Sequence, residues 1–271
     1  MVRRDRFDEF LFRAAAETPN VTVFEGTAWN AKSASGNWLV GADGLASSFH
    51  RLEEFPSSPP ATKRVGISAH ARGMNGDRDR VEILLQPEGE VVLAPSEDGE
   101  FSVSALFREE HLPEGASDED LMMNFLLSLD LMKGRTHGVS FTSPCISISP
   151  LGVKAGAMVC ERTLLVGDAA GAPDPVTMEG LALSILSARV AAKAIANDIP
   201  EEYERERYRL AVGSEWLGRW ILRASRYPEV TDRVVESLTK HPNLLRKLLE
   251  ISAGMKNEGD FSLLELAQLV V

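Results

Sequence analysis

Residues 163–181 are Thr163-Leu-Leu-Val-Gly-Asp-Ala-Ala-Gly-Ala-Pro-Asp-Pro-Val-Thr-Met-Glu-Gly-Leu181, in which an apolar run stops at a Gly-Asp pair. The apolar run predicts a short buried strand. Gly167 permits close approach of the backbone to a ligand because it has no side chain. Asp168 follows the carboxyl end of the strand, which is where open α/β sheets bind nucleotides. Its carboxylate could accept hydrogen bonds from sugar-like hydroxyls there.

A helix is predicted to begin near Glu179-Gly180-Leu181, just beyond Pro175. The first N–H groups of a helix have no partner within it, and the positive end of the helix dipole lies at the same place. This end would point at the cleft beside Asp168. It would stabilise negative charge on a group bound there.

Two further motifs accompany this segment. Together, Val166-Gly-Asp-Ala-Ala-Gly171, Pro175 and Glu179-Gly-Leu181 resemble the second flavin motif of the FAD-dependent monooxygenases and geranylgeranyl-reductase-like flavoproteins, which have the p-hydroxybenzoate-hydroxylase-type fold. The segment Val40-Gly-Ala-Asp-Gly-Leu-Ala-Ser-Ser-Phe-His-Arg51 is similar to the Asp-Gly motif of that family. Near the N-terminus, Val2-Arg-Arg-Asp-Arg-Phe-Asp-Glu-Phe-Leu11 resembles the segment in which an Arg reaches the cofactor's phosphates. The three motifs occur in the family's order.

The resemblance implies contacts to FAD, with NAD(P)H as a possible electron donor. By position, the residues implied to contact FAD are Arg4, Asp43, Gly44, Gly167, Asp168, Gly171, Pro175, Gly180 and Leu181. No catalytic residue is assigned, since a flavin carries the redox step itself and needs few protein acids. Met178 departs from the family, which usually has Gly there, and its side chain would either crowd the flavin or shift the loop.

The family's opening Gly-x-Gly-x-x-Gly turn occurs nowhere in this chain. A complete βαβ unit takes about 30 residues, and the Arg-containing segment begins at residue 2. We therefore expect a shortened or fragmentary chain, a partner chain that supplies the missing strand, or a protein that has lost the cofactor. The first explanation is favoured.

The resemblance implies an FAD-dependent oxidoreductase, monooxygenase-like, that acts on an apolar or aromatic small molecule. Reductase activity is disfavoured because residues 90–107 lack the aromatic-rich motif of the reductase branch. Halogenation stays open, although the Trp-rich signature of halogenases is not visible. The competing hypothesis is a non-catalytic flavoprotein-fold subunit or binding protein that needs a partner for the missing strand.

Composition narrows the possible partners and compartment. A formal net charge of −11 disfavours nucleic acid, which requires a basic face. No apolar run is long enough to span a membrane, and no secretory signal is visible. Cys145 and Cys160 have no CxxC spacing, which predicts a reducing, cytoplasmic setting and no metal site.

The pattern of elements predicts an α/β (mixed α+β) chain. Its parts are a partial Rossmann-like FAD-binding domain over residues 1–60 and 145–199, an inserted antiparallel β-sheet domain over 61–144 on the substrate side, and a helical region over 200–271. Helices are expected at residues 5–17 and 118–132. Strands are expected at residues 21–24, 37–40, 65–69, 81–85, 90–93, 101–107 and 145–149. The charged residues 201–209 predict a solvated helix face.

Overall fold

The structure is a computed structural model that describes residues 2–28, 36–60, 63–96, 98–109, 115–256, 258–262, 264–265 and 268. The helices are α1 (Arg4–Ala16), α2 (Asp118–Ser128), α3 (Gly180–Asn197), α4 (Pro200–Ala224), α5 (Pro228–Lys240) and α6 (Pro242–Ser252). The strands are β1 (Leu39–Gly41), β2 (Ser57–Ser58), β3 (Arg64–Arg72), β4 (Glu82–Gln86), β5 (Gly89–Pro95), β6 (Phe101–Arg108), β7 (Ser140–Phe141), β8 (Ile146–Ile148), β9 (Lys154–Ala155), β10 (Val159–Cys160) and β11 (Thr163–Leu165). The predicted mixed α/β class is confirmed.

A small sheet of β1, β11 and β10 carries two of the predicted motifs. Strands β1 and β11 run parallel with Val40 opposite Leu164, and β10 pairs antiparallel with the other edge of β11. The Leu39 N–H donates to the Arg162 carbonyl at 2.9 Å, and the Gly41 carbonyl accepts from Val166 at 2.8 Å. Because backbone groups alternate along a strand, the N–H and C=O of Val40 face the outer edge of the sheet. The described residues place no strand along that edge.

The larger sheet has the order β4-β5-β6-β3-β7, and β8 also pairs with β3. One face packs against α2 and buries a core that includes Ile67, Leu93, Val103, Met122 and Leu126. Alternating residues of the same strands point to the opposite face, as the period of two requires. Helix α2 begins at the Ser117 cap, whose hydroxyl oxygen accepts from the Asp120 N–H at 3.1 Å.

Helix α4 lies against β11 and α3. Its Tyr203 is completely buried and donates a hydrogen bond from its hydroxyl to the Leu165 carbonyl. Burial raises the pKa of Tyr203 to about 12, so this hydroxyl stays a donor at every ordinary pH. The contact fixes the first turn of α4 to the end of the strand that precedes the Gly-Asp pair.

Several sequence expectations need correction. Residues 21–24 form no strand, because no described strand lies beside them and the Phe24 side chain is 74% exposed. The helix predicted over 118–132 ends at Ser128, and a separate 3-10 turn follows over Asp130–Met132. The strand predicted over 145–149 is observed as β8, and it pairs within the larger sheet. The solvated face predicted over 201–209 is wrong in part, since two of its side chains are buried where α4 meets the small sheet.

Other predicted elements are found. The helix expected over 5–17 is α1, although none of its residues is buried and the Phe10 side chain is 68% exposed. The helical region predicted over 200–271 contains α4, α5 and α6, and its last three residues lie outside the described ones. Within the described ranges, no helix combines the length and apolarity that a membrane span requires. Nor do three His, Cys, Asp or Glu side chains gather there in a group that could hold a metal ion.

Candidate functional site

The loop after β1 is shaped by Asp43 and Gly44. Gly44 has φ +78°, a left-handed conformation that glycine adopts without strain. The Asp43 Oδ2 atom accepts hydrogen bonds from both the N–H and the hydroxyl of Ser48, each at 2.7 Å. Partial burial raises the pKa of Asp43, but the hydrogen bonds from Ser47 and Ser48 outweigh it and the net pKa is lowered. Asp43 is therefore an ionised carboxylate that organises its own loop.

The turn after β11 is a 3-10 turn over Gly167–Ala170 that ends at Gly171. Gly167 has φ +60°, and its N–H donates to the Ser187 hydroxyl at 2.9 Å. A Cβ at this position would lie 2.9 Å from the Ser184 Oγ. Both serines belong to α3, so the missing side chain of Gly167 is what lets the helix pack closely on the turn.

Asp168 lies in this turn between solvent and the protein interior. Burial raises its pKa, and the charges of Arg207 and then Arg4 act in the opposite direction. Arg4 and Asp168, each predicted to contact FAD, are thus within electrostatic reach of each other although they are far apart in sequence. Within the described residues the Asp168 carboxylate accepts no hydrogen bond from the protein, which leaves it available as an acceptor for a ligand.

Arg207 was missed by the sequence reasoning. It lies on α4 one turn after Tyr203, its accessible surface is only 2% of the maximum, and its Nη2 donates to the Gly171 carbonyl at 2.7 Å. In sequence it belongs to a run of charged residues that is typical of a solvated helix. The signal that could have identified it is the spacing of Tyr203, Arg207 and Ala211, which places all three on one helix face.

Arg4 is the first residue of α1. Its guanidinium binds Asp8 through two hydrogen bonds of 3.1 and 3.0 Å, and its side chain is 67% exposed. The neighbouring Arg6 lies 3.4 Å from Asp98 in the turn between β5 and β6. The start of α1 therefore lies beside the turn between β5 and β6 of the larger sheet, and the Arg4 side chain is exposed to solvent.

The segment from Pro175 to Gly180 leads into α3. Its 3-10 turn over Pro175–Thr177 is capped by Asp174, whose Oδ1 accepts from the Val176 N–H at 3.1 Å. Met178 has φ +57°, which is a left-handed conformation that Gly would adopt more easily. Helix α3 then begins at Gly180, where a Cβ would meet no atom within 4 Å. The N-terminus of α3 is accordingly open to solvent.

Two side chains connect these segments to their surroundings. The His50 Nε2 lies 2.9 Å from the Ala169 carbonyl oxygen and joins the Asp43 loop to the Asp168 turn. The buried Arg64 of β3 donates to Asp174 at 2.6 Å and also pairs with the buried Glu90 of β5. The site is thus held between the small sheet, the larger sheet and α4. It offers an acceptor carboxylate, a helix N-terminus and a nearby cation.

Comparison with known proteins identifies the architecture. No family model matches the chain, and no curated protein does either. Among solved structures, the flavin-dependent brominase Bmp2 superposes with a TM-score of 0.78 at 16% identity, over 94% of this chain and 70% of that one. The chain has a flavin-dependent monooxygenase-like fold.

Two further neighbours have the same fold. The anhydrotetracycline hydroxylase OxyS from Streptomyces rimosus gives a TM-score of 0.60 at 20% identity, over 81% of this chain and 46% of that one. The halogenase PltM, solved in complex with phloroglucinol and FAD, gives a TM-score of 0.60 at 15% identity, over 86% of this chain and 52% of that one. The chain therefore spans about half the length of these two enzymes. The predicted fold resemblance is confirmed.

Proposed function

We propose that this chain forms the flavin-binding part of an FAD-dependent oxidoreductase of the monooxygenase type, which acts on an apolar or aromatic small molecule. The observation that carries the proposal is that the turn of Asp168 contacts both α3, through the Gly167 N–H and the Ser187 hydroxyl, and the loop that follows Asp43. The His50 contact of 2.9 Å to Ala169 joins two of these elements directly. The fold shared with flavin-dependent halogenases and hydroxylases supports it.

The residues fit the ring and sugar-alcohol half of FAD. Gly44 and Gly180 both have open space where a Cβ would lie, so the backbone can approach a flat ring at either position. Asp168 supplies an acceptor for ribityl hydroxyls. For the phosphates the chain contains no Gly-x-Gly-x-x-Gly turn, and the proposed contact is the exposed guanidinium of Arg4.

Each remaining predicted residue has a proposed part in shaping the cleft. Gly167 and Gly171 bound the turn that carries Asp168, and Pro175 opens the turn that leads to α3. Leu181 lies exposed in the first turn of α3 and would contact the ring edge. Bound FAD would supply the redox chemistry, with NAD(P)H as the proposed electron donor. The first N–H groups of α3 would stabilise negative charge on the pyrimidine end of the ring.

The proposed substrate surface is the exposed part of the face of the larger sheet that lies opposite α2. A row across five strands places Ile146, Ser68, Ser104, Val92 and Ile83 side by side on that face. The two serine hydroxyls share a hydrogen bond of 2.8 Å, and both isoleucines are exposed. Such a surface suits an apolar or aromatic molecule with few polar groups.

This surface continues from the proposed flavin cleft. Arg64 and Ser68 lie on the same side of β3, because side chains alternate along a strand. Arg64 reaches Asp174 in the loop before α3 at 2.6 Å. The sheet face thus meets the loop that we place beside the ring, which would bring a substrate on that face close to the cofactor.

Hydrogen–deuterium exchange of the purified chain with and without FAD tests the location of the site. We expect protection in three separated segments, namely residues 43–50, 167–171 and 178–183, because all three would lie against the ring or its sugar chain. Titration of the same sample with ATP is the control for binding by an adenine nucleotide alone. Protection confined to other segments, or none at saturating FAD, would overturn the proposed site.

A second candidate is a non-catalytic flavoprotein-fold subunit. The observation that favours it is the outer edge of β1, where the backbone groups of Val40 face away from β11. A strand from a partner chain would satisfy such an edge. Steady-state NAD(P)H oxidation by the FAD-loaded chain separates the two candidates. Turnover supports the enzyme, and bound FAD without turnover supports the subunit.

A further inference from the structure

We infer that Arg207 is a positioning residue of the proposed cofactor site, which holds the Gly171 end of the turn and compensates the charge of Asp168. This inference rests on the proposed function for its role toward FAD. Its contacts within the chain stand independently of that role.

The geometry places Arg207 beneath the turn. Its Nη2 donates to the Gly171 carbonyl at 2.7 Å, and Tyr203, one helical turn earlier, donates to the Leu165 carbonyl. The two side chains thus donate hydrogen bonds to the backbone on either side of the Gly167-Asp168 pair, at Leu165 and at Gly171. Through these contacts, α4 fixes the position of the turn that carries Asp168 relative to β11.

Burial of this guanidinium is costly and only partly compensated. Arg207 is 2% exposed, and its Nε has no hydrogen-bond partner in the part of the chain that the structure describes. A buried cation is stable only when opposite charge or hydrogen bonds replace its hydration. A merely structural contact to one carbonyl could be made by a neutral side chain. The carboxylates within electrostatic range of this charge are those of Glu215 and Asp168. Asp168 is the one carried by the turn whose Gly171 carbonyl Arg207 contacts.

The charged and titratable groups around the turn come from four elements. Asp168 lies on the turn, Glu215 and Tyr203 on α4, and Arg4 on α1, while His50 contacts the same turn through Ala169. Burial lowers the pKa of Arg207, and Tyr203, Glu215 and Asp168 raise it. Burial raises the pKa of Asp168, and among the neighbouring charges Arg207 lowers it most. Removal of the Arg207 charge should raise the pKa of Asp168 further.

The first experiment measures the Asp168 carboxyl titration by 13C NMR without any flavin, with Asp168→Asn to assign the signal. Arg207→Gln keeps a donor for the Gly171 carbonyl but removes the charge, whereas Arg207→Lys keeps the charge. We expect the Asp168 midpoint to move upward in Arg207→Gln and to stay near that of the natural chain in Arg207→Lys. Arg209→Gln, which removes an exposed charge paired with Glu206 on the same helix, is the matched control.

The second experiment measures FAD affinity as a function of pH in the same variants. We expect Arg207→Gln to bind FAD about tenfold more weakly near neutral pH, which corresponds to about 1.4 kcal/mol. We also expect the pH below which its FAD affinity falls to be higher than in the natural chain. Far-ultraviolet circular dichroism verifies that each variant is folded. If Arg207→Gln does not fold, citrulline in place of Arg207 keeps most of the side-chain shape and donors without the charge, and an unchanged Asp168 midpoint in that variant would overturn the inference.

The outcomes separate the inference from the proposed function. An unchanged Asp168 midpoint in Arg207→Gln, or an equal shift in Arg207→Lys, would overturn the inference. If the midpoint moves as expected but the natural chain binds no FAD, the proposed function fails and the pairing of Arg207 with Asp168 remains.

Discussion

The His50 Nε2 and the Ala169 carbonyl oxygen lie 2.9 Å apart, although 119 positions separate the two residues in sequence. Because a carbonyl oxygen can only accept, Nε2 must carry the proton in this contact. The bond joins the loop after β1 to the turn after β11 on adjacent parallel strands. It therefore fixes the distance between the two loops that we place against the flavin.

Replacement of His50 should loosen this connection. We expect His50→Ala to lower the free energy of unfolding by about 1 kcal/mol, the usual net value of one hydrogen bond, and to weaken FAD binding several-fold. Chemical denaturation and flavin fluorescence measure the two effects. His50→Gln should recover part of both, since its amide can donate at a similar reach, and the exposed His137→Ala should change neither. Equal losses in the Gln and Ala variants would contradict this role.

Replacement of Met178 by Gly should increase both stability and FAD affinity. Its φ of +57° is strained for a residue with a Cβ, so Met178→Gly should raise the free energy of unfolding by about 1 kcal/mol. The Gly variant should also bind FAD more tightly, because the exposed side chain no longer occupies space beside the ring. Met178→Ala keeps the strain and is the control, expected to leave stability nearly unchanged. A Gly variant less stable than Met178→Ala would refute the argument.

The ionised Asp168 carboxylate should lower the free energy of unfolding when no ligand is bound. Burial raises its pKa in the folded chain, so its contribution to stability is fully present below the unfolded pKa and is lost as pH rises through the folded pKa. Asp168→Asn should therefore be more stable at pH 7 by up to about 1 kcal/mol, since solvent partly screens the charge. The gain should shrink as pH falls below the pKa of Asp168.

Thermal unfolding of the Asp168→Asn variant between pH 3 and pH 8 measures this dependence. The exposed Asp130→Asn serves as the control, and its pH profile should not show the same gain at neutral pH. FAD affinity should fall in Asp168→Asn alone. A variant that is destabilised at every pH would show that the carboxylate stabilises the fold and is not kept for a ligand.

The buried pair of Arg64 and Glu90 should be needed for folding. Arg64→Met leaves the Glu90 carboxylate, which is 3% exposed, without its cation, and we expect a loss of about 3–5 kcal/mol. The double variant Arg64→Met with Glu90→Gln should recover part of that loss, because the unpaired charge is gone. Arg80→Met removes an exposed charge and should cost less than about 0.5 kcal/mol. Denaturant titrations compare the three.

The sequence was sufficient for the elements that local pattern controls. Runs rich in β-forming residues predicted β3, β4, β5 and β6 of the larger sheet, and the Ser117 cap predicted the start of α2 to the residue. The Gly167-Asp168 turn and the start of α3 were also predicted, because a need for glycine in a turn and the start of a helix both depend on residues close in sequence. The mixed fold followed from these elements and from the order of the three motifs.

Features that depend on distant partners could not be predicted from the sequence. Residues 21–24 have the composition of a strand, but a strand requires a neighbour, and the described residues provide none. Arg207 lies in a charged run, and only the packing of α4 against β11 reveals that it is buried. The contact of His50 with Ala169 likewise arises from the pairing of β1 with β11, which no local pattern specifies.

The most direct test of the central claim is an FAD titration of the purified chain, with free flavin removed by gel filtration and the retained flavin quantified by absorbance. We predict about one FAD per chain, with flavin fluorescence changed on binding and retention reduced in Asp168→Asn but not in Asp130→Asn. A folded chain that retains no FAD, or that retains it equally in Asp168→Asn, would contradict the proposed flavin site.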